Sequence, residues 1–287
     1  MKTTILTIAT VAVVAVSAQA QVIYAPTGKA HVFTGAPSYG SGDITYQWYR
    51  NGQPIANATD ASYTMPGSMA HGERVEIKRG TMSSTCPDEV SYTNSFIMTF
   101  CNVVTGAVPN AVCWADNNVN GNRQFASRPD AYTSFFQWNR LTAWAATGSV
   151  SGWNSSIDTS STWQVNPCPV GWRIPTGTEF QALVNLGSTW ADENTKGNAV
   201  AGRFLGPSYN SCSLLNSPAS MEGCIFFPAV GWRSSIGGLG RQGTHAFCWS
   251  STSSSTNIGC NFEANNSSAT TYCANGKQAG FSIRCVR

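Results

Sequence analysis

A glycine-rich run, Gly238-Leu239-Gly240-Arg241-Gln242-Gly243, has the spacing G-x-G-x-x-G of a dinucleotide-binding turn. Such a turn binds a pyrophosphate only where a strand leads into it and a helix follows it. In this chain the run leads into residues 244–249, an apolar stretch of strand character. The sequence therefore predicts a loop at this position and no nucleotide cofactor.

Two further groups of residues raise the question of metal binding or acid–base catalysis. His245 and Cys248 lie close together, but the chain has three histidines in all, and a single histidine beside cysteine-rich loops is far more often structural or exposed. Asp192 and Glu193 are adjacent carboxylates, which diverge in direction, whereas glycoside hydrolysis needs two carboxyl groups that flank one bond. The sequence predicts no metal site, no cofactor and no catalytic site.

Residues 1–20 have the pattern of a secretory signal peptide. Lys2 gives the positive start, Ile5–Val16 is a short apolar run, and Ala18-Gln19-Ala20 is a small-x-small cleavage site. No later segment is apolar enough to span a bilayer, which takes about 20 residues. We therefore expect the protein to be exported, secreted or on the cell surface, with no transmembrane segment.

The composition agrees with export. Ten cysteines at wide spacing, without Cys-x-x-Cys, favour disulfides over a zinc or redox site. Charged residues make up 11% of the chain and the formal net charge is +3, which gives no electrostatic attraction to nucleic acid or to an anionic membrane. The length suggests two domains, at about 100–200 residues for each domain.

Residues 21–101 have the pattern of an all-β immunoglobulin-like sandwich. Ile44–Arg50 alternates apolar and polar residues, and the hairpin signal Asn51-Gly52 follows it. The run 46–55 resembles the third strand and hairpin of bacterial surface immunoglobulin-like modules, in which Trp48 would be the core tryptophan. No cysteine precedes Cys86, so the usual inter-sheet disulfide is missing. Further strands are predicted at Ala61–Met65, Arg74–Arg79 and Tyr92–Phe100.

The segment 102–110 is predicted to be a linker, because the composition changes across it. Cys101 and Cys113 flank the segment, and a bridge between them would stiffen the junction. A bridge between Cys86 and Cys101 is also open, and the sequence does not decide between the two pairings.

Residues 111–287 are predicted to form an α+β domain of short strands and long loops. Thr176 and Glu179 form a capping box before a helix at Thr178–Leu186. A second, weaker helix is predicted at Asn139–Ala146.

Two apolar runs, 166–176 and 280–287, have strand character and are predicted to open and close this domain. Their placement favours a bridge between Cys168 and Cys285. Local bridges are predicted between cysteines that lie near each other in the loops, which pairs Cys212 with Cys224 and Cys260 with Cys273.

Six blocks of sequence carry a resemblance to a known family. They are 112–115, 136–140, Trp163 with 168–176, 227–233, 249–251 and 282–286. In this order they resemble the Fibrobacter succinogenes major paralogous domain, a family of secreted bacterial domains with a fold similar to that of C-type lectins. The resemblance implies a disulfide-rich, surface-associated module and supplies no chemical activity.

Because the fold of this family is similar to that of C-type lectins, a calcium-binding site has to be considered. Lectins that hold sugar through calcium use Glu-Pro-Asn or Gln-Pro-Asp together with Trp-Asn-Asp, and neither occurs here. Trp249-Ser250-Ser251 stands where Trp-Asn-Asp would, and hydroxyl groups are poor calcium ligands beside carboxylates. Any binding is therefore expected to be independent of calcium.

Tryptophan is the remaining indication of a ligand, because its ring stacks on sugars and anchors protein interfaces. Nine of the ten tryptophans lie in 111–287. Those inside the family blocks are predicted to be buried: Trp114, Trp138, Trp172, Trp232 and Trp249. Those in polar surroundings outside the blocks are the predicted ligand contacts: Trp144, Trp153 and Trp190.

The function that these observations favour is recognition or adhesion without catalysis. The ligand would be a glycan or a protein, and nucleic acid is not expected. The alternative is a structural component of a surface or fimbrial assembly, and an enzyme acting on polysaccharide is a third hypothesis.

Overall fold

The computed structural model describes residues 21–26, 30–34, 43–65, 71–84, 86–106, 110–215 and 218–287. The predicted signal peptide lies outside the described residues, as do residues 107–109 of the predicted linker. No helix in the described ranges is long and apolar enough to cross a membrane.

The first seven strands form two sheets around one core. They are β1 (Gln21–Pro26), β2 (His31–Thr34), β3 (Ile44–Arg50), β4 (Gln53–Pro54), β5 (Ser62–Met65), β6 (Arg74–Ser83) and β7 (Cys86–Cys101). One sheet has the order β1-β7-β6-β3-β4, with β1 parallel to β7, and the other pairs β2 with β5. The strands predicted from the sequence are therefore present, and β3 has the predicted bounds.

Trp48 lies at the centre of this core. Its side chain has no exposed surface, and its indole Nε1 donates a hydrogen bond to the carbonyl oxygen of Asp60 at 2.9 Å. The rings of Phe33 and Tyr63, one from each strand of the smaller sheet, lie 6.2 and 5.9 Å from the Trp48 ring. The prediction of a core tryptophan is confirmed.

The remainder of the described chain forms four small sheets and one α-helix. Its elements are β8 (Val104–Thr105), β9 (Val112–Asn118), β10 (Ser134–Gln137), β11 (Trp144–Ala145), α1 (Gly177–Val184), β12 (Ser188–Ala191), β13 (Gly202–Leu205), β14 (Ile225–Pro228), β15 (Trp232–Arg233), β16 (Leu239–Gly240), β17 (His245–Ser253), β18 (Ile258–Asn265), β19 (Ala269–Gly276), β20 (Gly280–Phe281) and β21 (Arg284–Val286). The sheets have the orders β21-β9-β8, β11-β10-β20-β15-β16, β12-β13-β14 and β17-β18-β19.

Helix α1 begins where the capping box predicts. The Thr176 hydroxyl accepts a hydrogen bond from the backbone of Glu179 at 3.1 Å, and the Glu179 carboxylate accepts one from the backbone of Thr176 at 2.7 Å. Two of the N–H groups that the helix start leaves without a backbone partner are thus satisfied. Phe180 and Leu183 are buried on one face, as their i, i+3 spacing requires.

The second predicted helix, Asn139–Ala146, is wrong. Asn139 has a φ of +53° in a turn after β10, a conformation that ends regular structure. Its side-chain oxygen accepts hydrogen bonds from the backbone N–H groups of Gln164 and Val165. The asparagine therefore holds a distant loop in place, and the segment ends in the short strand β11.

The predicted opening strand, 166–176, is also wrong. Pro167, Pro169 and Pro175 lie within this run, and proline cannot donate to a strand ladder. The run meets β21 through one isolated bridge between Arg173 and Val286. The strand that pairs with the closing strand β21 is β9, in antiparallel orientation.

Four disulfides hold the described structure together: Cys101–Cys113, Cys168–Cys285, Cys212–Cys224 and Cys260–Cys273. Cys101 thus pairs with Cys113 and not with Cys86, whose side chain lies outside the described part. Cys248 is buried and unpaired, so the even number of cysteines does not mean that all of them pair.

The described part of the predicted linker belongs to the fold. Strand β8 pairs with β9, and the Val103 carbonyl accepts a hydrogen bond from the backbone of Trp114 at 3.1 Å. Val103 is buried in the same apolar cluster as Trp114 and Phe180. Val103 is therefore buried and Val104 is half-buried, and the role of the segment 102–110 as a linker between two domains stays a prediction.

Strand β17 separates two apolar cores. Ala246 and Cys248 point into the core that contains Phe180 of the helix, whereas Phe247 and Trp249 point into a core that contains Trp138 and other aromatic rings. Successive side chains of a strand point to opposite faces, so a strand buried on both sides contributes to both cores.

Arg284 connects the closing strand to its neighbours. Its side chain is fully buried, and its guanidinium donates to Asn118 Oδ1 at 2.8 Å, to the carbonyls of Ala115 and Asp116, and to the carbonyl of Phe226 at 2.7 Å. Burial lowers the pKa of Arg284 to about 10, so the group stays charged at neutral pH. Three strands, β9, β14 and β21, are held by this one side chain.

Replacement of Trp48 by Ala should lower the free energy of unfolding of the first seven strands by about 3–5 kcal/mol, because a fully buried aromatic ring is lost. The near-UV circular dichroism of the other tryptophans should persist at the temperature where these strands have unfolded. Loss of both signals in one transition would show that the two parts fold as a unit.

Replacement of Arg284 by Met should lower the free energy of unfolding by about 3–5 kcal/mol, because four buried acceptors lose their donor. Arg173→Met is the matched control. Arg173 contacts Glu179 at 2.5 Å with 49% of its side chain exposed, and such pairs contribute about 0–1 kcal/mol. Equal losses in urea denaturation of the two variants would contradict the role given to Arg284.

Candidate functional site

One face of the sheet β17-β18-β19 packs against the core that contains Phe180, and the other face is shared between the second core and a cleft. Ala246, Cys248, Phe262 and Ala264 are buried on the helix side. On the other side the register places Phe247 opposite Glu263, Glu263 opposite Thr270, and His245 opposite Asn265. The alternation of side chains along each strand therefore collects polar groups on the cleft face.

This sheet-face cleft has a volume of about 410 Å³ and is open to solvent. It is lined by Trp232, Arg241, Phe247, Glu263, Asn265, Ser268, Thr270, Tyr272 and Asn275. Aromatic rings, amides, hydroxyls and one ion pair thus converge in a single concave surface.

Trp232 and Tyr272 supply the aromatic surface of the cleft. Trp232 is half-buried and packs against the rings of Phe247 and Phe281, with centroids 6.0 and 5.9 Å away. A Cβ at Gly240 would lie 2.9 Å from the Trp232 indole Nε1, so glycine at this position admits the ring. Tyr272 lies on β19 and is 50% exposed.

Arg241, His245 and Glu263 form a polar cluster at one side of the cleft. Glu263 Oε1 lies 3.6 Å from Arg241 Nη1 and 3.9 Å from His245 Nε2. Arg241 Nη1 lies 3.0 Å from His245 Nε2, and because a guanidinium only donates, Nε2 is the acceptor. His245 is therefore neutral in this arrangement, with its proton on Nδ1 toward the Thr244 hydroxyl at 3.0 Å.

Burial lowers the pKa of His245, and the nearby Arg241 lowers that pKa further, whereas Glu263 opposes the shift. The His245 ring also stacks on Phe247, with an interplanar angle of 9°. These surroundings keep the imidazole uncharged at neutral pH.

Trp190, one of the three predicted ligand contacts, lines a second cleft of about 330 Å³. This end cleft is formed by Trp190, Asp192, Gly243, Thr244, His245, Asn265, Asn266 and Ser267. Trp190 is half-buried, and its indole Nε1 donates to Asp192 Oδ1 at 2.9 Å.

The other two predicted contacts, Trp144 and Trp153, lie together, away from both clefts. Their ring centroids are 4.9 Å apart. Trp153 Nε1 donates to the carbonyl of Ser235 at 3.1 Å, and its ring lies so close to Gly237 and Gly280 that a Cβ at either would come within 3 Å. Much of the Trp153 ring is therefore used in packing, and a ligand role for the pair stays a prediction.

No residue that lines the sheet-face cleft was predicted from the sequence to contact a ligand. Trp114, Trp138 and Trp249 are fully buried as predicted, but Trp172 and Trp232 are only half-buried. A signal does exist in Glu263 and Asn265, polar residues two positions apart in a strand whose alternate positions are apolar.

The glycine-rich run lies in β16 and the turn after it, and strand β17 follows in place of a helix, as expected for a loop. In the part of the chain that is described, no group of three or more His, Cys, Asp and Glu side chains could hold a metal ion. Asp192 and Glu193 are both exposed.

The chain matches the model of a known protein family over the residues that form these clefts. The model of the Fibrobacter succinogenes major domain matches residues 88–287. The chain belongs to this family. The match begins inside β7, earlier than position 111, at which the sequence placed the start of the domain. Both clefts lie within the matched residues.

Neither the search of curated proteins nor the search of solved structures found a match.

An NMR titration of the His245 ring should give a pKa below 6.5, because burial and Arg241 disfavour the imidazolium. Since the folded pKa is lower than the unfolded one, this contribution to stability is present above about pH 6.5 and is lost as the pH falls. His31 and His71 have lowered pKa values as well, so His245→Gln should remove only part of the acid destabilisation. A ring that titrates above 6.5 would contradict the neutral assignment.

Proposed function

We propose that this protein is an exported, cell-surface or secreted recognition protein that binds a neutral glycan in the sheet-face cleft, without catalysis and without calcium. The observation that carries the proposal is the presence of Trp232 and Tyr272 in one open cleft with the neutral polar groups of Asn265, Thr270 and Asn275. Aromatic faces stack on sugar rings, and a few placed amides and hydroxyls select among them.

Export is supported by the four disulfides, because such bonds persist in oxidising compartments. The signal-peptide pattern of residues 1–20 points to the same route. In this proposal the protein acts outside the cytoplasm, where a glycan partner would be met.

The architecture that we propose has an immunoglobulin-like stalk and a C-type-lectin-like recognition domain. The immunoglobulin-like stalk is supported by a five-stranded sheet that faces a two-stranded sheet across Trp48, and by the parallel pairing of β1 with β7. The second is supported by the family membership and by the pairing of β9 with β21, which closes the domain on itself.

The proposal of binding without hydrolysis is supported by the lining of the cleft. Glu263 is the one carboxylate among the residues that form it, whereas glycosidases generally use a pair. Glu263 Oε1 is also paired with Arg241 Nη1 at 3.6 Å, which reduces its availability as a calcium ligand.

Replacement of Trp232 or Tyr272 by Ala should weaken binding to a glycan array about fivefold or more, since an aromatic contact contributes on the order of 1 kcal/mol or more. Tyr272→Phe keeps the ring and should retain most of the affinity. Trp153→Ala, in a tryptophan outside the cleft, is the control and should bind as the parent does. Thermal unfolding of each variant checks that it is folded.

Several outcomes would overturn the proposal. Loss of binding in Trp153→Ala alone would place the ligand at Trp144 and Trp153. Loss of binding on addition of a chelator would contradict calcium independence. Absence of binding to any glycan, together with incorporation into a surface assembly, would favour the structural alternative.

A further inference from the structure

The sheet-face cleft and the end cleft meet at Asn265. Asn265 lines both clefts. His245 lies opposite Asn265 in the β17–β18 register and lines the end cleft. His245 also belongs to the polar cluster with Arg241 and Glu263 at one side of the sheet-face cleft. The Asn265 side chain is held by its own turn, because Oδ1 accepts from the backbone N–H groups of Ser267 and Ser268. The junction is thus a fixed part of the surface.

The strands that carry the Trp190 side of the end cleft are also hydrogen-bonded to Asn265. Arg203 of β13 lies opposite Trp190 of β12, and its guanidinium Nη1 donates to the Asn265 carbonyl at 2.5 Å. Arg203 is 8% exposed, and its Nε donates to the Ser188 hydroxyl at 2.8 Å. A buried arginine therefore sets Trp190 in a fixed position relative to the sheet that carries Tyr272.

The length of this surface exceeds one sugar ring. Tyr272 lies opposite Asn261, four residues along β18 from Asn265, which is roughly 13 Å at about 3.3 Å per residue. The end cleft with Trp190 extends the surface beyond that point. The exposed Asp192 in the end cleft would repel an anionic chain, whereas Glu263 is paired with Arg241 and adds no net charge.

From this arrangement we propose that the two clefts form one groove for an internal stretch of a linear, neutral oligosaccharide, with aromatic platforms at Trp190 and at Trp232 and Tyr272. The inference rests on the proposed function and adds to it the class of ligand: a chain of several units, bound along its length. A terminal sugar would occupy the sheet-face cleft alone.

Isothermal titration calorimetry of the purified full chain tests this proposal. The probes are the disaccharides and hexasaccharides of β-1,4-linked glucose, mannose, xylose and N-acetylglucosamine. For the sugar that binds, the hexasaccharide should bind at least about tenfold more tightly than the disaccharide, because it reaches a second aromatic platform. Trp190→Ala should remove this difference and leave the disaccharide affinity unchanged, and Trp190→Phe should restore most of it.

Equal affinity for the two lengths would overturn the single groove and leave the proposed function standing. The same conclusion would follow if Trp190→Ala, shown to be folded by its thermal transition, kept the preference for the hexasaccharide. If no probe binds the parent protein, and none binds on a wider glycan array, the proposed function itself fails and the groove fails with it.

Discussion

The second part of this molecule depends on buried cations that hydrogen-bond to backbone carbonyl groups. Long irregular loops leave carbonyls that no sheet satisfies, and a buried carbonyl without a donor is costly. Arg233 donates to the carbonyls of Ala145, Thr147, Gly148 and Gly237, and Lys277 donates to those of Ser160 and Thr256. Arg284 donates to three carbonyls of the strands β9 and β14. The charge is stabilised by these dipoles and, for Arg284, by the ring of Phe227 at 4.5 Å.

The hydrogen bonds of these buried cations explain how the sheet-face cleft is positioned. Arg284 fixes the closing strand against β9 and β14, and Cys285 beside it is bonded to Cys168. The adjacent β17 is then packed on both sides, with Cys248 so buried that its thiol pKa rises to about 12. The helix side of the sheet β17-β18-β19 is largely filled by the core, and Glu263, Asn265 and Thr270 lie on its other face, where the cleft lies.

Local patterns were enough for much of the fold. The capping box at Thr176 and the alternation of Ile44–Arg50 each depend on residues close in sequence, and the structure contains the helix and the strand that they predict. The family blocks predicted the family whose model matches the chain. The helix predicted at Asn139–Ala146 failed because the Asn139 side chain bonds to a loop about 25 residues away. The cleft depends on the register that places Phe247, Glu263 and Thr270 side by side, which is a long-range property that spacing within one strand does not reveal.

The proposed ligand contact on the sheet β17-β18-β19 is tested most directly by hydrogen exchange measured by mass spectrometry, with and without the glycan that binds most tightly. We expect slower exchange in peptides that cover 239–247 and 261–275, and no change in 21–101. Protection confined to 21–101, or to the segment 144–153, would contradict this location of the site.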